Sequence, residues 1–119
     1  MRRQLRLRRR AEFDAVYARR RTWSNNLLVL RNSPNQMEHN RYGFVTSKRL
    51  GGAVVRNRVR RRLREAVRSL PVSAGWDVII SAKVPAARSN FHELKRAVVD
   101  LLTSARMLRP DPSTEEAQS

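Results

Sequence analysis

Apolar and polar positions change their period several times along this chain, and each change marks an element. Phe13, Val16 and Tyr17 stand at i, i+3 and i+4, which predicts a short helix over residues 11–20. Leu27 to Leu30 is an unbroken apolar run of strand length, and Asn32-Ser33-Pro34-Asn35-Gln36 reads as the turn that follows it. From Tyr42 to Ser47 the pattern alternates, with Tyr42, Phe44 and Thr46 on one face of a second strand and Gly43, Val45 and Ser47 on the other. An extra short strand near Trp23 is left open. Gly51-Gly52 then interrupts the chain, and a helix is predicted from about Ala53 to Leu70, stopped by Pro71. Val78-Ile79-Ile80, between Gly75 and Pro85, is a β-branched run that suits a central strand. Asn90 and Glu93 fit a capping box. Phe91, Leu94, Val98, Leu101, Ala105 and Leu108 carry the final helix beyond it. The order α-β-β-α-β-α predicts an α+β fold, a two-layer α/β sandwich.

The helix after the two glycines is the most informative element. At about 100° per residue, Val55, Val59, Leu63, Ala66 and Leu70 fall on one stripe, while Asn57, Arg60, Arg61, Arg64 and Arg68 fall opposite it. Arg56, Arg58 and Arg62 flank the stripe. Seven arginines lie between Arg56 and Arg68, and Glu65 is the one acid there, placed to pair with Arg61 or Arg62. Like charges four residues apart repel by a few tenths of a kcal/mol per pair. Such a ladder is best explained by an outside polyanion that neutralises it.

Composition widens this picture. Lys and Arg together number 26 against 10 Asp and Glu, a net charge of +16 over 119 residues. Only Lys48, Lys83 and Lys95 are lysines; the other 23 cations are arginines, whose planar fork grips phosphate bidentately and stacks on bases. Nucleic acid is the expected partner, ahead of an anionic membrane surface, because no helix joins a basic face to an exposed aromatic one. One domain fits the length: a flexible basic arm over residues 1–10, a single RNA-binding α+β domain over 11–109 and a flexible acidic tail over 110–119.

Several functions are not expected. The chain has no cysteine, so thiolate chemistry and disulfides are excluded. His39 and His92 have no partner nearby in sequence and read as surface residues, and the carboxylates are too scattered for a two-metal nuclease site. No catalytic residue and no protein metal site is expected. No apolar run approaches the roughly 20 residues that span a bilayer, nor does a secretory signal follow the basic start, so the expected compartment is the cytoplasm.

The ordered set Lys48-x-x-Gly51-x-Ala53-Val54-x-Arg56-Asn57-Arg58-x-Arg60-Arg61-x-x-Arg64-Glu65 resembles the signature of the bacterial ribonuclease P protein family. Phe13 with Asp14 to Tyr17, Arg41 to Ser47, Asp77 to Ile80 and the last helix are similar to family segments in the same order, so the likeness covers nearly all of the chain except the acidic tail. The resemblance implies a left-handed β-α-β crossover around the arginine helix, although about 98% of such connections are right-handed. It implies an RNA-based endoribonuclease: a catalytic RNA subunit hydrolyses the 5′ leader from precursor tRNA, using magnesium held mainly by the RNA. The polypeptide, one per RNA, is then not catalytic by itself.

Carried over residue by residue, Lys48, Arg49, Arg56, Asn57, Arg58, Arg60, Arg61 and Arg64 would contact the catalytic RNA, with Arg68 continuing that face. Phe13 and Tyr17 would line a cleft for the single-stranded leader, where stacking and a basic groove hold bases without strict readout. The family often has an aromatic late in the first long strand. Arg31 stands there in this chain, which leaves open whether a cation replaces that stacking contact. A ribosomal protein of similar composition and a DNA-binding regulator are the rival readings. The context of Arg56-Asn57-Arg58 and the Phe13/Tyr17 pair favour ribonuclease P over the first, and no helix-turn-helix pair supports the second.

Overall fold

The computed structural model describes residues 2–109. Helix α1 (Arg10–Ala18) is followed by strands β1 (Thr22–Ser24), β2 (Leu28–Pro34) and β3 (Arg41–Thr46), helix α2 (Ala53–Arg68), strand β4 (Trp76–Ala82) and helix α3 (Phe91–Ser104). The sheet order is β1-β2-β4-β3. β2 runs antiparallel to both β1 and β4, whereas β3 lies parallel to β4 and reaches it through α2. The extra strand left open at Trp23 is present as β1.

Strand β4 sits between β2 and β3, and its side chains alternate between two buried environments. Val78 and Ile80 join Leu28, Leu30 and Tyr42 in a core that α2 seals with Val59, Leu63, Ala66 and Val67, and α3 with Leu94, Val98, Leu101 and Leu102. Ile79 points the other way, into a smaller cluster with Leu7 and Val16, against which Phe13 and Val45 pack. The sheet and the α2/α3 layer form the expected sandwich, and α1 covers part of the sheet's second face. The final helix starts where the capping box places it: Glu93 N–H donates to Asn90 Oδ1 at 2.9 Å, and Asn90 N–H to Glu93 Oε1 at 3.0 Å.

Four expectations need correction. Residues 2–10 are not a free arm: Leu7 is buried, its N–H donates to the Tyr42 carbonyl at 2.9 Å, and Arg6 pairs with Tyr42 as a short parallel bridge. One apolar side chain with a pocket to fill ties the basic segment to the outer edge of β3. Second, β2 continues through Asn32, Ser33 and Pro34, which pair with Val78, Asp77 and Trp76. Asn32 is tolerated inside because its side chain accepts from Arg19 Nη1 and donates to Met107 Sδ, both at 3.1 Å, while Pro34 stands last, where a missing N–H costs least. The turn falls later, at Asn35 and at Gln36, whose φ is +60°.

Third, α2 stops at Arg68, short of the Leu70 expected. Fourth, α3 ends at Ser104 rather than running to Leu108. Arg106 takes the left-handed conformation (φ +57°), Met107 turns into the core, and Leu108 pairs with Val72. The acidic tail expected over residues 110–119 lies outside the described residues.

Both ends of α1 are pinned to the sheet by arginines. Near its start, Arg41 of β3 donates to Asp77 through Nε (2.8 Å) and Nη2 (2.7 Å) and to Glu12 Oε2 through Nη1 (2.9 Å). Past its end, Arg19 reaches Asn32 and lies over the Trp76 ring, 5.4 Å from the centroid. The N–H groups of Arg9 and Arg8 hold the Glu12 carboxyl below its ordinary 4.5, helped by the Arg41 charge and opposed by burial. A carboxyl so shifted contributes stability that is complete above about pH 4.5 and is lost as pH falls through its lower folded value. Arg41→Ala should therefore cost roughly 3–5 kcal/mol in urea unfolding at pH 7, by leaving Asp77 buried without its cation. Glu12→Gln should cost less and flatten the acid limb of the stability curve. Identical acid limbs for Glu12→Gln and the parent chain would remove Glu12 from this account.

Candidate nucleic-acid interface

Helix α2 presents its charge because its back is used up by the core. Val59, Leu63, Ala66 and Val67 are buried, and Val55 and Leu70 are half-buried beside them. Gly51, at φ +142°, turns the chain into this helix with the Val55 side chain 3.3 Å from where its own Cβ would stand. Lys48 and Arg49 sit exposed in the short 3-10 turn before it, and Asn57, Arg61 and Arg68 are exposed along it.

The remaining arginines of α2 are half-buried and differ in what they hold. Arg58 Nη2 donates to the Ala87 carbonyl at 3.2 Å and Arg62 Nη1 to the Ser89 carbonyl at 2.7 Å, so both brace the 3-10 turn Val84–Arg88. Arg60 donates to Thr46 Oγ1 at 2.7 Å and to Asn57 Oδ1, which fixes its guanidinium against β3. Glu65 pairs with Arg68 at 3.2 Å, not with Arg61 or Arg62, and this exposed pair contributes little. Arg64 lies beside Arg6 and Arg60; burial first, and then these like charges, press it below arginine's ordinary range. The Nε–H groups of Arg56 and Arg58 are buried with no acceptor among the described residues.

On the other face of the sheet, Tyr17 meets Arg31 of β2, while Phe13, one turn earlier in α1, lies over β3. Phe13 is half-buried and lies directly on Gly43, where a Cβ would stand 2.6 Å from Phe13 Cε1. Only glycine lets the ring sit so close. Val16 is fully buried, whereas Tyr17 is 40% exposed with the Arg31 guanidinium 5.1 Å from its ring centroid. A cavity of about 270 Å³, lined by Arg6, Leu7, Phe13, Tyr42, Gly43, Phe44, Arg60 and Arg64, sets Phe13 beside the arginine helix; Tyr17 and Arg31 do not line it. Sequence reasoning missed Arg6 as part of it; the apolar Leu7 amid arginines was the available signal. A larger cavity of about 540 Å³ lies between α3 and the β1–β2 connection, lined by residues of both charges such as Arg96 and Asp100. His92 stacks edge-on against Phe91, and His39 lies in the loop before β3. Among the described residues, no three His, Cys, Asp or Glu side chains gather as a metal site would need, and no helix is long and apolar enough to cross a membrane.

An arginine-faced helix laid across a small mixed sheet is the mark of an α+β protein that binds nucleic acid. Comparison with known proteins makes the assignment specific: the family model for ribonuclease P matches residues 1–106, and the chain belongs to that family, as the protein component of ribonuclease P. The chain is 44% identical to the ribonuclease P protein component of Roseiflexus sp. (strain RS-1) over 116 residues, covering 95% of each sequence. It is 41% identical over 103 residues to that of Dehalococcoides mccartyi (strain CBDB1), covering 87% of this chain and 86% of the relative. The ribonuclease P protein of Staphylococcus aureus superposes with a TM-score of 0.80 at 27% identity, covering 88% of this chain and 98% of that one. That of Thermotoga maritima gives 0.75 at 25% identity, covering 82% and 94%.

Each guanidinium that meets a phosphate releases a counterion, so binding must weaken with salt. Arg61→Ala and Arg64→Ala should each lower the slope of log affinity against log salt by about one, with circular dichroism and melting temperature unchanged. An unaltered slope in the double variant would show that this face is only solvated.

Proposed function

We propose that the α2 face, with Lys48 and Arg49, grips the catalytic RNA subunit, while the cleft of Phe13, Tyr17 and Arg31 receives the 5′ leader of precursor tRNA. The observation that carries this reading is the uncompensated arginine face: Arg61 is exposed, Arg64 is crowded by Arg6 and Arg60, and Glu65 is the one acid on the helix. Arg58 and Arg62 act more as braces of the interface than as free contacts.

The polypeptide positions RNA and supplies no reacting group. Glu12 and Asp77 are both committed to Arg41, and among the described residues no three His, Asp or Glu side chains gather, so the described side chains do not offer a magnesium site. Magnesium belongs, on this reading, to the RNA. The exposed edge of Tyr17 beside the half-buried Phe13 provides the stacking surface a single strand needs. One protein serves one RNA, in the cytoplasm.

Two outcomes follow. The purified, nuclease-treated polypeptide should leave precursor tRNA intact at any magnesium concentration, and adding its cognate RNA should give 5′ cleavage at a lower magnesium requirement than the RNA has alone. Cleavage by the protein by itself would sink the division of labour. Tyr17→Ala should weaken precursor tRNA binding to the holoenzyme by about 1–3 kcal/mol and hardly affect mature tRNA. Equal losses for both ligands, or a collapse in melting temperature, would instead make Tyr17 a packing residue.

A further inference from the structure

Leu5 is an apolar residue that neither part of the core absorbs. It lies half-buried in the 3-10 turn Arg3–Leu5, among arginines, and packs against neither buried cluster. With Arg2, Tyr42, Val67 and Arg68 it lines a cavity of about 400 Å³ between the N-terminal segment and the second half of α2. The walls are set in advance, which lowers the ordering cost of binding. The Leu5 N–H donates to the Arg2 carbonyl at 3.0 Å, and Leu7, buried two residues on, moors the segment to β3. The Tyr42 hydroxyl accepts from Asn40 Nδ2 at 3.1 Å, and its ring lies parallel to that of Phe44, 6.0 Å away. Val67 is buried in the core, whereas Arg2 and Arg68 are exposed. Among the described residues no carboxylate lines the cavity, and Arg68 is paired only with the exposed Glu65.

We propose that this cavity takes one unpaired nucleobase of the catalytic RNA, while Arg2 and Arg68 meet the phosphates on either side of it. The inference rests on the reading of α2 as the face that grips that RNA. It goes beyond it, from a field that holds any phosphate to a socket for a single nucleotide. The volume falls in the range of small-ligand sites, about 300–1,000 Å³, and the make-up matches theirs: apolar walls with a few charged groups at the rim. A base stacked in a duplex cannot enter such a socket, but one splayed from a bulge or loop can. Taking a base out costs least where the nucleotide is already unpaired. An apolar side chain of a protein partner would suit the walls alone. Two guanidinium groups beside them favour a chain that carries a phosphate at every residue. The leader is the less suited strand, since Tyr17 and Arg31 lie toward β2. The cavity instead lies at the outer edge of β3, along the side of α2 that carries Arg61, Arg64 and Arg68.

The test uses the holoenzyme reconstituted from the full chain and its catalytic RNA, with dimethyl sulfate and a carbodiimide reporting which nucleobases are accessible. Leu5→Trp fills the cavity and Leu5→Phe fills it with less bulk; both should keep the parent's melting temperature. One unpaired base of the catalytic RNA should react in the free RNA, be protected by the parent protein, and react again in complexes with either variant. An abasic ribose at that nucleotide should weaken binding of the parent protein by about tenfold and leave binding of Leu5→Trp unchanged. Protection that never depends on Leu5 would overturn the proposal, as would abasic RNAs that all bind the parent protein as tightly as intact RNA does. So would a Leu5-dependent base in the leader of bound precursor tRNA, which would reassign the cavity to the substrate. The double variant Arg61→Ala, Arg64→Ala, measured on the same RNA, separates the two levels. If it loses affinity and salt dependence while no base answers to Leu5, only the socket is wrong. If its affinity and salt slope match the parent's, the α2 reading itself fails and takes the socket with it.

Discussion

The architecture depends on burying β4 on both faces. Val78 and Ile80 demand an apolar cover on one side of the sheet and Ile79 demands one on the other. The first cover is large and takes the whole apolar stripe of α2, which leaves that helix no choice but to turn its arginines outward. The second is small and is met by α1 and Leu7, which leaves part of the sheet open beside the helix. The outward arginine ladder and the uncovered part of the sheet are thus two consequences of one burial problem, solved with unequal amounts of apolar surface.

Charge is then distributed by what each arginine can reach. A chain at +16 has few carboxylates to spend inside, and two of them converge on Arg41, the guanidinium best placed to tie α1 to the sheet. Others are satisfied by neutral acceptors: Ala87 and Ser89 carbonyls for Arg58 and Arg62, Thr46 and Asn57 for Arg60, Asn32 for Arg19. Neutral acceptors hold a guanidinium in place without cancelling its field. The interface is therefore rigid and still strongly positive, a combination that surface salt bridges could not give.

Much of this was legible before any coordinates. The α2 stripe, the β-branched run of β4 and the Asn90/Glu93 capping box are local patterns, and each lies where its pattern puts it. What escaped is non-local. Asn32-Ser33-Pro34 carries turn chemistry yet lies in β2, because pairing with Val78, Asp77 and Trp76 and partners from Arg19 and Met107 outweigh local preference. Met107 and Leu108 continue the helical spacing of α3 but leave it, since Met107 fills the core and Leu108 pairs with Val72. Leu7 was outvoted by the arginines around it. At the interface, spacing separated the apolar from the charged side of α2, but it could not say that Arg58 and Arg62 fold back onto a neighbouring turn, or that Arg6 arrives from the other end of the chain.

The order of strands also bears on how the protein is made. β2 and β3 are close in sequence yet do not pair with each other; the strand that joins them is β4, which comes after the arginine helix. As the chain leaves the ribosome, α1 emerges first but its floor, Ile79, is among the later residues, so the cleft has nothing to close upon until β4 is threaded between its neighbours. During that interval the basic segments are already exposed to a polyanionic surrounding while the sheet is unformed. Long-range pairings of this kind are slow relative to helix formation. The cleft is therefore among the last parts of the nascent protein to take shape, although the helix that forms its wall is the first to be synthesised.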